Sequence, residues 1–233
     1  MLVNYYDNYM AFTKQQIINE MQRAGLVPLF TPENPEQAFQ IIKTSYDAGI
    51  RSFEFTNRKA NSFEIFKDLI SRRSSFPELM LGTGTVMDPE SAKQFIDAGA
   101  DFIISPILKT SIADVCHEHD KLWIPGCATL TEIVTAKEHG AQVIKIFPGS
   151  VLGPAFISAI MPVVPGLRLM VTGGVEPTEQ NLSAWFKAGT MCVGLGSQLF
   201  LKDIIEKGNW TLLEQNIRKA IALVQQIKEQ TAV

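Results

Sequence analysis

A helix ending recurs four times along the 233 residues, and this repetition limits the possible folds more than any other pattern. A small or charged residue followed by glycine closes a predicted helix at Gly49, Gly99, Gly140 and Gly189, with spacings of 50, 41 and 49 residues. Each interval can hold two strand–helix units of the size found in a (β/α)8 barrel. An apolar segment follows each glycine, as expected for a strand buried in a parallel sheet.

The alternation of apolar runs and amphipathic segments predicts eight strands. Their expected positions are residues 26–30, 51–56, 79–82, 101–104, 122–125, 141–148, 167–171 and 190–194. A further helix precedes them, beginning at a capping box from Thr13 to Gln16 and ending at Gly25. The predicted fold is therefore α/β, with one (β/α)8 TIM barrel in residues 26–233 and an extra N-terminal helix in residues 1–25.

The composition argues against several classes of function. A net charge of −3 and a pI near 5.7 give no sign of a polyanion partner, so nucleic-acid binding is not expected. No apolar run approaches the roughly 20 residues of a membrane helix, and the first ten residues do not resemble a signal peptide. The three cysteines and three histidines lack the spacing of a disulfide framework or metal site. We expect a cytoplasmic protein with neither a metal nor a membrane partner.

One predicted strand carries a residue that does not suit it. The run Val143-Ile144-Lys145-Ile146-Phe147 is apolar apart from its lysine, and alternation places Lys145 on the same face as Val143 and Phe147. Desolvation on that face disfavours the ammonium and favours a neutral amine that can act as a nucleophile. The alternative is a structural lysine that extends to the strand end or pairs with a carboxylate. The stretch by itself does not decide between them.

The carboxyl ends of the second and third strands offer further candidates, because barrel active sites lie at that end. Glu54 stands among apolar residues, where a carboxylate suits proton transfer, and Arg58 follows four residues later. The segment Gly82-Thr83-Gly84-Thr85 would let a ligand approach the backbone and would supply hydroxyl groups. The structural alternatives are an ion pair between Glu54 and Lys145 or Arg51, a solvated Arg58 and an ordinary turn.

The last two strands end in glycine-rich loops, Thr172-Gly173-Gly174 and Gly194-Leu195-Gly196-Ser197. The second loop leads into a predicted short helix at residues 197–201. Loops at these two positions of a barrel commonly bind phosphate through backbone N–H groups and a helix N-terminus. Two tight turns are the alternative, and we favour phosphate binding.

Taken together, these segments resemble the family of 2-keto-3-deoxy-6-phosphogluconate (KDPG) and 4-hydroxy-2-oxoglutarate (KHG) aldolases, which are class I aldolases specific for pyruvate. The likeness extends from about residue 26 to residue 227. It rests on the ordered motifs Phe-Glu54-Phe-Thr-Asn-Arg58, Gly-Thr-Gly-Thr85-Val, Ile-Ser-Pro106, Pro125-Gly126, Val-Ile-Lys145-Ile-Phe147-Pro148, Thr-Gly173-Gly174-Val and Gly-Leu-Gly196-Ser197. The resemblance implies a (β/α)8 barrel with an extra N-terminal helix, commonly a homotrimer, that acts without metal or organic cofactor.

The resemblance also implies a role for each candidate residue. Lys145 would be the Schiff-base lysine and Glu54 the acid/base catalyst. Arg58 and Thr85 would bind the pyruvate carboxylate, Pro106 and Phe147 would shape the pyruvate pocket, and the phosphate site would consist of Gly173, Gly174, Gly196 and Ser197. The implied lyase reaction cleaves a 2-keto-3-deoxy-6-phospho sugar acid, or 4-hydroxy-2-oxoglutarate, to pyruvate and an aldehyde. That aldehyde would be glyceraldehyde 3-phosphate or glyoxylate.

Three departures from the family pattern concern the distal half of the substrate. Phe30-Thr31 stands where many members have an arginine, Ile107 replaces a glycine after Pro106, and Gly149-Ser150 replaces Ala-Glu. The aldehyde half and its stereochemistry therefore stay open. Two other functions also stay open: a phosphate-sugar isomerase or synthase on the same barrel, and a sugar-acid binding protein that has lost catalysis. Retention of both catalytic candidates argues against the second.

Overall fold

The computed structural model describes residues 12–231. Within these residues, parallel strands form one sheet, and helices separate them along the chain. The strand segments are β1 (Leu26–Phe30), β2 (Ser52–Thr56), β3 (Met80–Gly84), β4 (Phe102–Ile104), β5 (Leu122–Ile124), β6 (Gly126–Cys127), β7 (Ile144–Ile146), β8 (Leu169–Thr172) and β9 (Cys192–Leu195).

The sheet closes into an eight-stranded barrel. Its segments are ordered β5-β4-β3-β2-β1-β9-β8-β7-β6, and only Pro125 separates β5 from β6. Proline has no N–H group to donate, yet the Pro125 carbonyl accepts a 2.8 Å hydrogen bond from the Lys145 N–H of β7. The Ile124 carbonyl accepts from Ser105 on the other side. Thus β5 and β6 are two halves of one strand, and the predicted TIM barrel is confirmed.

The helices follow the strands in the expected alternation. They are α1 (Lys14–Ala24), α2 (Pro35–Asp47), α3 (Ser62–Ser71), α4 (Pro89–Asp97), α5 (Thr110–Glu118), α6 (Leu130–Glu138), α7 (Gly149–Ile160), α8 (Glu179–Lys187), α9 (Lys202–Glu206) and α10 (Trp210–Thr231), with a short 3-10 turn at Arg73–Ser75. The four recurring glycines all have positive φ between 81° and 111°, which is why glycine ends these helices. None of the described helices is long and apolar enough to cross a membrane.

The core has two layers, one inside the barrel and one between the strands and the helices. The inner layer includes Met80, Phe102, Ile124 and Met170, and α1 packs against its amino-terminal end. The α1 helix starts at the predicted capping box of Thr13 and Gln16. Residues 1–11 of the predicted N-terminal segment lie outside the described residues. Because α1 covers the amino-terminal end, the carboxyl ends of the strands form the open mouth of the barrel.

Two local predictions after the strands need correction. The predicted helix at residues 197–201 is wrong: the N–H groups of Leu199 and Phe200 both donate to the Gly196 carbonyl, which makes a single turn. Leu201 then has extended backbone, and α9 begins only at Lys202. The helix α7 starts earlier than the residues 155–160 expected from the sequence and is broken at Gly153. The second phosphate loop therefore leads into a turn rather than a helix N-terminus.

Candidate active site

The structure brings Lys145 and Glu54 together inside the barrel. Glu54 lies in the middle of β2 and Lys145 in the middle of β7, and the Lys145 Nζ is 3.3 Å from the Glu54 Oε1. The two side chains are 4% and 0% exposed. The Phe147 ring lies on the same strand face, with its centroid 5.4 Å from the amine. The two residues predicted to be catalytic are therefore in direct contact.

The Glu54 carboxylate is only half satisfied. Within the described residues, its Oε2 is buried and has no hydrogen-bond partner. A buried charged group with an unmet hydrogen bond lowers stability, and apolar side chains of the same size would fit such a barrel at less cost. Unsatisfied buried polar atoms of this kind are typical of catalytic positions. The free oxygen faces no competing protein donor, so it is available to a substrate group or a water molecule.

Two glycines of β3 make room for side chains from neighbouring strands. A Cβ at Gly84 would lie 1.8 Å from the Glu54 Oε1, and a Cβ at Gly82 would lie 2.1 Å from the Phe102 ring. The sequence had suggested that these glycines let a ligand approach the backbone. Instead, the protein's own side chains occupy the space, and Gly84 sets the position of the Glu54 carboxylate.

Arg58 and Thr85 also meet, at the mouth of the barrel. The Arg58 Nε donates a 3.2 Å hydrogen bond to the Thr85 Oγ1. Thr85 has a φ of 59°, a left-handed conformation that is strained for a β-branched residue and costs on the order of 1–3 kcal/mol. Strain of this kind clusters at functional sites. The predicted carboxylate binders thus form a preformed pair of donors, one cationic and one neutral.

A cavity of about 410 Å³ opens at the same end of the barrel. Six of the predicted site residues line it: Arg58, Phe147, Gly173, Gly174, Gly196 and Ser197. The lining does not include Lys145, Glu54 or Thr85, and the alternation of β7 places Lys145 one layer below Phe147. Pro106 is also absent from the lining. Its carbonyl carbon would lie 2.3 Å from a Cβ at Gly126, so its place is a tight backbone packing against the split fifth strand.

The loop after β8 packs against the start of α7. A Cβ at Gly149 would lie 2.5 Å from the Gly173 carbonyl oxygen, and one at Gly174 would lie 2.7 Å from the Ser150 Cα. Gly173 and Gly174 both have positive φ. Among the described residues, the backbone N–H groups of Gly173, Gly174 and Ser197 make no hydrogen bond to a turn, loop or cap carbonyl. These N–H groups are available to a ligand.

The cavity lining extends beyond the predicted site residues. Thr31, directly after β1 and one of the departures noted in the sequence, lines the cavity, and its hydroxyl is hydrogen-bonded to that of Thr56. Glu176 and Gln198, which were not found from the sequence, also line it, a few residues beyond the ends of β8 and β9. Their position after barrel strands is the signal that could have found them. Ile107, another departure from the family pattern, is exposed and does not belong to the lining.

A closed parallel barrel that buries an amine against a carboxylate, with a guanidinium at its mouth, is typical of a TIM-barrel enzyme. Comparison with known proteins identifies the family. Residues 17–216 match the family model described as KDPG and KHG aldolase, so the chain belongs to this family. It is accordingly an aldolase, a carbon–carbon lyase.

Individual relatives agree with this assignment. The chain is 31% identical over 176 residues to the 2-dehydro-3-deoxy-6-phosphogalactonate aldolase of Escherichia coli, covering 75% of this chain and 84% of the relative. It is 29% identical over 202 residues to the 2-dehydro-3-deoxy-phosphogluconate aldolase of Pseudomonas aeruginosa, covering 86% and 89%. A solved structure described as native KDPGal superposes with a TM-score of 0.78 at 27% identity, over 88% of this chain and 96% of that one.

Proposed function

We propose that this aldolase cleaves a 2-keto-4-hydroxy acid to pyruvate and an aldehyde through an imine on Lys145. The observation that carries the proposal is the buried contact between the Lys145 Nζ and the Glu54 Oε1, with the second carboxylate oxygen unpaired. At this distance a proton can pass directly between the amine and the carboxylate. The amine is therefore placed to act as a nucleophile, and the carboxyl group is placed for the later proton transfers.

The reaction follows from these two groups. The neutral amine attacks the C2 ketone, and loss of one water gives a protonated imine. Glu54, through a water molecule, takes the proton of the C4 hydroxyl as the C3–C4 bond breaks and its electron pair moves into the imine. The products are an aldehyde and an enamine of pyruvate. Protonation of the enamine at C3 and addition of one water release pyruvate and restore the amine.

The neighbouring residues have supporting roles in this proposal. Arg58 binds the substrate carboxylate with its planar fork of donors, and the Thr85 hydroxyl adds a second contact. Phe147 packs beside the imine carbon and limits access of water. Pro106 shapes the pyruvate pocket from the adjacent strand end through its backbone.

The glycine-rich loops receive the far end of the substrate. We propose that the N–H groups of Gly173, Gly174, Gly196 and Ser197 bind a terminal phosphate when the substrate is a 2-keto-3-deoxy-6-phospho sugar acid. With 4-hydroxy-2-oxoglutarate, the aldehyde released is glyoxylate and the distal group is a carboxylate. A homotrimer, as the family resemblance implies, in the cytoplasm, as expected from the composition, completes the proposal. Light scattering should then give about three times the chain mass of 25.8 kDa.

Borohydride trapping tests the proposed chemistry directly. Incubation with pyruvate and sodium borohydride should reduce the imine and leave a covalent adduct, which peptide mass spectrometry should place on Lys145. Lys145→Ala should lose both the adduct and turnover. The matched control is Lys59→Ala, because Lys59 lies near the same mouth but is paired with Glu33.

Glu54→Gln separates the two catalytic roles. The amide keeps the size of the side chain but cannot exchange protons, so cleavage should fall while some adduct still forms. No adduct on the wild-type protein, or an adduct on another lysine, would contradict the imine mechanism. In the first case, the isomerase or synthase alternative would gain support.

A further inference from the structure

The charges that line the mouth of the barrel are few and of opposite sign. In the described lining of the cavity, the charged side chains are those of Arg58 and Glu176. Arg58 is hydrogen-bonded to Thr85 and is proposed above to bind the pyruvate carboxylate. Glu176 makes no ion pair with any described residue, so its negative charge is not neutralised by the protein. The distal half of the cavity therefore carries a carboxylate and no cation of its own.

The backbone of Glu176 is fixed beside the glycine loop. Its N–H donates a 3.0 Å hydrogen bond to the Asn181 Oδ1, and the Asn181 Nδ2 donates a 3.0 Å hydrogen bond to the Gly174 carbonyl. The Glu176 carbonyl accepts from the Thr178 N–H at 2.8 Å. One amide side chain thus ties the residue that bears the carboxylate to the loop that is proposed to bind the phosphate.

The other polar groups of the distal lining are neutral. Thr31 and Thr172 supply hydroxyl groups, and Gln198 supplies an amide. The Thr172 Oγ1 is buried and has no hydrogen-bond partner among the described residues. The nearby Lys59 is engaged by Glu33 and does not line the cavity. This lining can satisfy hydroxyl groups of a substrate but offers no counter-charge to a phosphate dianion.

We infer that Glu176 is a specificity-determining residue that selects against a doubly charged distal end. The chain then accepts 2-keto-4-hydroxy acids with an uncharged, hydroxylated distal end about as readily as their phosphate esters. Backbone N–H groups admit the phosphate, and the facing carboxylate offsets part of that attraction. The inference rests on the aldolase function proposed above and adds the class of substrate.

Steady-state kinetics with a matched pair of substrates tests the inference. The substrates are 2-keto-3-deoxygluconate and its 6-phosphate, and pyruvate release is measured for the wild type, Glu176→Gln and Glu179→Gln. Glu179 is the control because it is an exposed glutamate in the same segment that does not line the cavity. Glu176→Gln should raise kcat/KM for the phosphate ester about fivefold at low ionic strength, mainly through KM. The value for 2-keto-3-deoxygluconate, whose distal end is uncharged, should stay the same, and Glu179→Gln should change neither value.

Salt provides a second readout. Because Glu176 is exposed, its effect on the phosphate ester should shrink as the ionic strength rises toward physiological values. The inference would be overturned by any of three results. The ratio of the two kcat/KM values could be unchanged in Glu176→Gln, or Glu179→Gln could change it equally. The wild type could also prefer the phosphate ester by more than about a hundredfold. Any of these results, together with a pyruvate adduct on Lys145, leaves the aldolase proposal standing. Absence of the adduct and of all cleavage would contradict both.

Discussion

Replacing Gly84 with alanine should remove catalysis while leaving the barrel folded. Gly84 ends β3 and has an ordinary backbone conformation, so alanine can adopt it without strain. The new methyl group, however, would lie 1.8 Å from the Oε1, 2.5 Å from the Cδ and 2.6 Å from the Cγ of Glu54. The carboxylate must therefore give way.

The size of the effect follows from these distances. Carbon and oxygen atoms settle at about 3.4 Å or more, so the Glu54 Oε1 has to retreat by roughly 1.5 Å. Its present distance to the Lys145 Nζ is 3.3 Å, so a shift of this size is about half of that distance and would disturb the contact. A displacement of about 1 Å can cost on the order of a hundredfold in rate, so we expect kcat to fall at least that far. Overpacking should also lower the free energy of unfolding by about 1–3 kcal/mol.

A coupled assay of pyruvate release, together with urea denaturation, separates the two effects. Gly82→Ala is the matched control, because the atoms nearest to its methyl group would be those of the Phe102 ring in the apolar interior. It should lose comparable or greater stability yet keep most of its kcat per folded molecule. If Gly84→Ala retained kcat within about threefold, the argument that this glycine positions Glu54 would be wrong.

Three further predictions concern the surroundings of the site. Arg58→Lys should raise KM more than it lowers kcat, because lysine keeps the charge but loses the planar fork and the bond to Thr85; steady-state kinetics measures this. Asp101→Asn should lower the free energy of unfolding by about 3–5 kcal/mol in urea denaturation, because it breaks a buried ion pair with Arg73. Burial raises the pKa of all three cysteine thiols to about 12, so iodoacetamide at pH 8 should label them only after unfolding. Rapid labelling of the folded protein would contradict this.

The barrel was predictable because its signals are local. Residues 26–30 form β1 as expected, and each helix-closing glycine stands at a positive φ that other residues avoid. Strand lengths were less predictable. Of the expected residues 141–148, β7 includes only Ile144–Ile146, because pairing with both neighbouring strands limits the strand and hydropathy does not.

The site itself depended on contacts between distant parts of the chain. The sequence offered an ion pair with Lys145 or Arg51 as the structural alternative for Glu54, and the structure pairs Arg51 with Glu78 instead. Glu54 does contact Lys145, 91 residues away, so the ion pair and the catalytic interpretation share one geometry. Only the unpaired Oε2 distinguishes them, and no sequence pattern could show it. No sequence pattern could show the space at Gly84 either, because the Glu54 side chain of β2 fills it.

The order of groups along the barrel axis links chemistry to specificity. The helix α1 closes the amino-terminal end with Ile17, Ile18 and Met21, all at most 1% exposed, and the interior above it is apolar. The Lys145–Glu54 pair lies in the next layer, so in the proposed reaction a ketone would enter from the mouth, past Phe147, and its distal group would remain near Glu176. Changes at the rim can therefore alter which aldehyde half is accepted without moving the amine or the carboxylate. This separation would let a chain differ at rim residues such as Thr31 and still keep the pair that we propose breaks the carbon–carbon bond.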